Sequence, residues 1–334
     1  MMPISIVKAL IQGQPPARRL FVPLIFTLAA KLEDVPLSNF VVNPTKIANS
    51  LAAIHQRLRL DGVTCYFDLF LVAEALGCQL NLSTSPPALE RPTRETALKM
   101  LQQRGDVKQR GRLPVALEVV HRLRGTLRNS PALVIGLPGP LRIAQQLFGQ
   151  DLLRELAAGD DDALDSFETL VEITLSVAQA FCLAGAHLLY FDELDVPVEF
   201  LPEWQETMVA VWKTVRFHGA LPVLSTPQAL QIETNSSTDA MHLPEELKGR
   251  FEDPANAPLL CLKPGPGEQA PLSGMPFALA LLVTGETFPD VSRWLRAKEC
   301  ALVTTDGEIP YQLEIQKLQQ QVAAMRSLFE RRNI

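Results

Sequence analysis

Short apolar runs that stop at Gly, Pro, Asp or Ser alternate along this chain with longer segments whose apolar positions recur every three or four residues. The runs have the length of strands buried on both faces, and the segments between them have the period of helices with one covered face. The runs predict strands over 20–26, 63–67, 132–136, 187–191, 221–224, 258–262, 277–283 and 300–304. The periodic segments predict helices over 44–60, 140–156, 164–183 and 202–217. Three of these open on Pro, where a missing N–H costs little. In the closing segment, 314–332, Ile315, Leu318, Val322, Met325 and Leu328 fall about one turn apart and predict a long amphipathic helix.

Strands that alternate with helices point to parallel βα units, and eight such strands predict a (β/α)8 TIM barrel. A chain of 334 residues fits one such unit, so a single domain is expected over 1–334. Two polar, Pro-containing stretches, 83–111 and 231–257, interrupt the pattern. In a barrel, insertions of this kind are expected over the C-terminal face, where barrel sites are built. No short-period repeat or low-complexity tract is present.

Composition narrows the classes of partner. With 47% hydrophobic and 20% charged residues, the chain can bury a large core. A formal charge of −6 offers no field to attract a nucleic-acid backbone, so no nucleic-acid partner is expected. The apolar run near the N-terminus is too short for a membrane span and lacks a signal-peptide cleavage pattern, so the expected location is cytoplasmic, without a membrane partner. The five cysteines form no CxxC pair and mostly sit in apolar runs, which reads as reduced core residues rather than a disulfide framework or a structural zinc. The five histidines show no metal-ligand spacing, and the Lys263 stretch KPGPG lacks the ending of a phosphate loop.

The residues that could carry chemistry are those at strand ends. Asp68 follows the run VTCYF, where it would either serve a site or cap the next turn. Asp192 and Glu193 end the fourth predicted strand, and neighbours on a strand point to opposite faces, so one of them is expected to face the axis. Gly136, Pro138, Gly139 and Pro140 form a turn that would let a ligand approach the backbone, or simply turn a strand into a helix. Asp306 follows the last strand. Asp68 and at least one of Asp192 and Asp306 are expected to converge in one cleft and, without a nearby arginine, to leave one carboxyl protonated near neutral pH.

Three segments taken in order, DGVTCYFDLFLVAEALGC from Asp61 to Cys78, LVIGLPGPLRIAQQLFG from Leu133 to Gly149 and CALVTTDGEIP from Cys300 to Pro310, resemble the uroporphyrinogen decarboxylase superfamily. LAGAHLLYFDE and LPVLSTP match more weakly. The superfamily includes the decarboxylases of haem synthesis and the corrinoid-dependent methyltransferases. The resemblance implies a barrel with its site at the C-terminal strand ends, a homodimer, and, for the decarboxylases, a lyase that needs no cofactor and stabilises a protonated pyrrole with Asp68.

The chain departs from both branches. The decarboxylases follow their first strand with an arginine pair for substrate carboxylates; here that stretch, PLIFTLAAKLEDVPL, carries only Lys31. A tyrosine of the decarboxylases is matched here by Gln146. The thiol-directed methyltransferases hold zinc at positions matched here by Ser225, Pro227 and Asp306, which could not bind it, so no metal is expected. The leading expectation is a cofactor-free, tetrapyrrole-binding carboxy-lyase with catalytic Asp68. Carboxylate recognition would move to Lys31, Arg142, Arg91 or Arg94, with Gly136, Gly139, Gln146, Asp192 and Asp306 lining the substrate site. The alternatives are a methyltransferase working with a corrinoid protein, which the first segment favours, and a non-catalytic binding protein.

Overall fold

The computed structural model describes residues 2–82, 84, 87–128, 131–226, 257–262, 276–281 and 294–330. Eight parallel strands form one sheet: β1 (Leu20–Phe21), β2 (Gly62–Phe67), β5 (Ala132–Pro138), β6 (Leu188–Asp192), β7 (Leu221–Ser225), β8 (Leu259–Leu262), β9 (Phe277–Leu281) and β10 (Cys300–Thr305). Two short strands between them, β3 (Leu80–Asn81) and β4 (Ala88–Leu89), pair as a separate antiparallel hairpin. The sheet runs β1-β10-β9-β8-β7-β6-β5-β2, so β1 and β2 are its ends. They meet: the Asp61 N–H donates to Phe21 O at 3.1 Å, and the Phe21 N–H donates to Asp61 Oδ2 at 2.9 Å. Arg18 forks onto the same carboxylate at 2.7 and 2.8 Å. The ring closes into the expected (β/α)8 barrel, and all eight apolar runs supply its strands.

β1 is shorter than the apolar run that contains it. Pro23 has no N–H to donate to a ladder, and the chain leaves the sheet there while Val22, Leu24, Ile25 and Phe26 stay buried. The strand expected over 277–283 is described to Leu281. Strand interiors are apolar on both faces because helices cover the outside and side chains fill the inside, as a parallel barrel requires.

The outer helices are α1 (Pro3–Ile11), α3 (Pro44–Leu58), α4 (Leu71–Leu76), α6 (Leu113–Leu127), α7 (Pro140–Phe148), α9 (Asp161–Ala184), α10 (Leu201–Phe217) and α11 (Ile315–Glu330), with a short α2 (Leu37–Phe40) before α3. The segment expected as one helix over 140–156 is two, because Gly149 adopts φ 71° and ends α7 before α8 (Asp151–Ala157) begins. α9 is long and apolar enough to cross a membrane by composition. Here Phe167, Leu170, Val177 and Phe181 bury its inner face under α7 and α10.

The excursion expected over 83–111 has structure of its own. It holds β4, whose hairpin partner β3 lies just before it, α5 (Arg94–Gln102) capped by the Thr93 hydroxyl, and a 3-10 turn, Val107–Gln109. It ends at Arg112, which lies at the mouth of the barrel. The stretch expected as a second loop, 231–257, the Lys263 turn, His242 and Pro227 fall outside the described residues, apart from the last residue of that loop, Ala257.

Candidate active site

A cavity of about 370 Å³ opens where β2 and β10 end, walled by the residues that follow β1 and by the tip of the 83–111 excursion. β2 delivers Asp68 to it. One carboxylate oxygen of Asp68 caps the turn into α4, accepting the Phe70 N–H at 2.8 Å. The other meets Arg112 Nη1 at 2.6 Å. One oxygen therefore caps the turn and the other is held by an arginine at the cavity wall.

Arg112 is only 3% exposed. Its Nε donates to Glu74 at 2.8 Å and its Nη1 reaches the Tyr66 hydroxyl at 3.4 Å, while Tyr66 donates to Val41 O at 2.7 Å. Burial works against the guanidinium charge, but the carboxylates of Asp68 and Glu74 outweigh it, so the arginine stays a cation. The expectation of carboxylates gathered without arginine is thus corrected: Arg112 was hidden at the end of a polar loop.

Glu308 comes from the turn after β10. Its Oε1 accepts both the backbone N–H and the hydroxyl of Thr27. Burial pushes its carboxyl up to about 7; the Thr27 bonds oppose that rise and the charge of Asp68 adds to it. A carboxyl ion-paired to arginine and a carboxyl close to half-protonated at neutral pH thus line one cavity. Environments that set two acids apart in this way suit proton transfer. A carboxyl raised chiefly by burial lines the cavity, but it belongs to Glu308 and not to one of the three aspartates expected to converge.

The other residues singled out in the sequence lie elsewhere. Asp192 ends β6 and pairs with Arg142, whose Nε also donates to Asp192 O at 3.1 Å. Glu193 is fully buried and accepts the N–H groups of Leu141, Arg142 and Leu194 at 2.9–3.2 Å, so its carboxyl caps α7. Burial pushes it up to about 7 against those bonds. Asp306 donates its N–H to Leu281 O. Neither Asp192 nor Asp306 walls the cavity, so the two do not join Asp68 there.

Gly136 and Gly139 leave no room for a ligand. A Cβ on Gly136 would stand 2.1 Å from the Phe67 ring, and one on Gly139 would stand 2.4 Å from the Glu193 carboxylate. These glycines admit the protein's own side chains. Gln146 donates to Leu69 O at 2.9 Å. Lys31 donates to the carbonyls of Gln312 and Leu313 and lies over the Tyr311 ring, bracing the wall rather than standing free in the cavity. Arg94 forks onto Glu155, and Arg91 packs over Gly149. Neither lines the cavity.

The positions matched to a zinc site do not fit that metal. Ser225 is buried at the end of β7, its carbonyl accepting the Glu193 N–H at 2.8 Å, and neither it nor Asp306 offers a thiolate or imidazole. Among the described residues, no three His, Cys, Asp or Glu side chains gather as a metal site. His187 uses Nδ1 to accept the Leu133 N–H at 3.0 Å, and burial lowers its pKa to about 4, which keeps it a neutral structural acceptor.

The model of the uroporphyrinogen decarboxylase (URO-D) family matches residues 3–206. The chain belongs to the uroporphyrinogen decarboxylase family. Two curated relatives, the methylcobamide:CoM methyltransferase MtaA of Methanosarcina barkeri and of its strain Fusaro, are each 23% identical over 150 residues. That stretch covers 44% of this chain and 44% of theirs. Among solved structures of this fold, a methyltransferase from Methanosarcina mazei superposes with a TM-score of 0.70 at 17% identity, over 98% of this chain and 99% of its own. A B12-independent methionine synthase from Shewanella sp. W3-18-1 superposes at 0.51 with 13% identity over 86% of each chain. The fold of the family, with its parallel barrel, is therefore the fold seen here.

Proposed function

We propose that this member of the uroporphyrinogen decarboxylase family is a methyltransferase, with a methylated cobamide as donor and the Asp68–Glu308 pair managing the proton of the acceptor. The observation that carries the reading is that pair: two carboxyl groups in one cavity, one ion-paired to Arg112 and the other held near 7. The methyltransferases among its relatives point the same way. A methylated cobamide would supply the methyl group and its cobalt would keep the bonding electrons as the acceptor takes that group, while the carboxylate side of the Asp68–Glu308 pair would take the proton that the acceptor loses. Thr27 positions Glu308, and Arg112 positions Asp68.

A cofactor-free carboxy-lyase acting on a tetrapyrrole is the second reading, favoured by the place of Asp68 at the mouth of the barrel. Against it stands the charge of the cavity. Arg112 is the one cation among its described walls, and it already serves Asp68 and Glu74. A substrate rich in carboxylates would meet no unengaged cation there. Incubating the purified protein with methylcobalamin and a panel of oxygen, nitrogen and sulfur acceptors, with methylated product read by mass spectrometry, tests the proposal. Methylation of at least one acceptor is expected. No methylation, together with consumption of a porphyrinogen, would replace the first reading by the second.

A further inference from the structure

The polar equipment of the cavity is unusually specific about what it can satisfy. Phe26, Phe67 and Phe70 with Leu37, Val41 and Leu82 give it an apolar wall, and a volume of about 370 Å³ suits a molecule of one or two rings. Besides Ser38, Tyr311 and Gln312, two acids line that space with opposite hydrogen-bonding needs. Asp68, ion-paired to Arg112, is an acceptor with no proton to give. Glu308 receives both Thr27 bonds on one oxygen and a further backbone bond from Phe26; with its carboxyl protonated on the oxygen away from Thr27, it offers an O–H to donate.

We infer that the cavity binds an uncharged, largely apolar compound bearing one hydroxyl group, of the phenol or aryl-alcohol kind, with that hydroxyl donating to Asp68 and accepting from Glu308. A hydroxyl is the small group that does both. A carboxylate, sulfonate or phosphate only accepts, and would set its charge against Asp68 with Arg112 already divided between two carboxylates. An ammonium only donates, and would leave the Glu308 proton without an acceptor. The assignment rests on the methyltransferase reading only in naming this compound the methyl acceptor; the fit of the cavity stands on its walls.

The test is calorimetric titration of the purified protein with phenol, benzoate and benzylamine as probes, with thermal melts to show that each variant is folded. Phenol is expected to bind at least about tenfold more tightly than either charged probe. Asp68→Asn keeps an acceptor but drops the charge, and should shrink the preference for phenol over benzoate by about tenfold. Leu37→Trp, at a partly exposed wall position, fills the cavity and should abolish phenol binding. Benzoate or benzylamine binding as tightly as phenol, or phenol binding that ignores Leu37→Trp, overturns the inference. Phenol that binds but is never methylated leaves the ligand class standing and removes the methyltransferase reading. Methylation confined to acidic or thiol acceptors does the reverse.

Discussion

Glu308→Gln isolates one proton. In the folded chain the Glu308 carboxyl is raised from 4.5 to about 7, chiefly by burial. Below about pH 4.5 both the folded and the unfolded chain hold the proton, and the full contribution to stability is present. As pH rises toward 7 the unfolded chain releases the proton while the folded chain keeps it, so stability falls, and it stops falling once the folded carboxyl has ionised. Integrated between about pH 5 and about pH 8, the loss is on the order of 2 kcal/mol. Glutamine stays neutral throughout and keeps an oxygen to accept from Thr27. Urea unfolding of both proteins at the two pH values reads the effect directly. Other titrating groups, such as Glu193 and His187, are common to both proteins and cancel in the difference. The variant should gain about 2 kcal/mol relative to the wild type on going from the lower to the higher pH. Parallel stabilities at both pH values would show that Glu308 is solvated like any surface glutamate, and the acid assigned to the site would be gone.

Asp68→Asn should remove most methyl transfer while thermal unfolding shows a folded barrel, since Arg112 keeps Glu74 as a partner; unchanged turnover would take Asp68 out of the chemistry. Arg112→Met strands two partly buried carboxylates and should cost about 3–5 kcal/mol in urea unfolding, whereas a loss below about 1 kcal/mol would mean that water already screens the network. Glu193→Gln turns one acceptor of the α7 cap into a donor facing the Leu141 N–H and should cost about 1–3 kcal/mol, read by the same titration. Gly136→Ala drives a methyl group into the Phe67 ring and should lower stability by about 1–3 kcal/mol or more, with Phe67, a cavity wall, displaced in a crystal structure of the variant.

The barrel was legible in the sequence because parallel strands are buried on both faces and so leave continuous apolar runs. Each run expected from 132–136 to 300–304 begins within a residue of a strand. The end of β1 was the exception, since burial of 22–26 looks the same in sequence whether or not the backbone is laddered. The site was half legible. Asp68 stood out at the end of an apolar run, but its partner Arg112 lies 44 positions further on, at the close of a polar excursion. What holds Glu308 in place is Thr27, 281 positions away. A pattern read along the chain registers neither distance. The Gly136–Gly139 turn was ambiguous for a related reason: a glycine announces that something comes close, without saying whether it is a ligand or, as here, Phe67 and Glu193.

The barrel ring is joined at one place by a clasp instead of a ladder. β1 stops after two residues, and what ties it to β2 is Asp61, whose carboxylate holds a backbone N–H of β1 and the Arg18 fork together. That carboxylate works beside the backbone bond from the Asp61 N–H to Phe21 O, so the joint is a few hydrogen bonds wide, whereas β2, β5, β6 and β7 are held to one another by full ladders. The residues just beyond the clasp are Phe26, a wall of the cavity, and Thr27, the support of Glu308. One continuous piece of chain, from Arg18 to Thr27, thus supplies the closure of the ring, a wall of the cavity and the support of its acid.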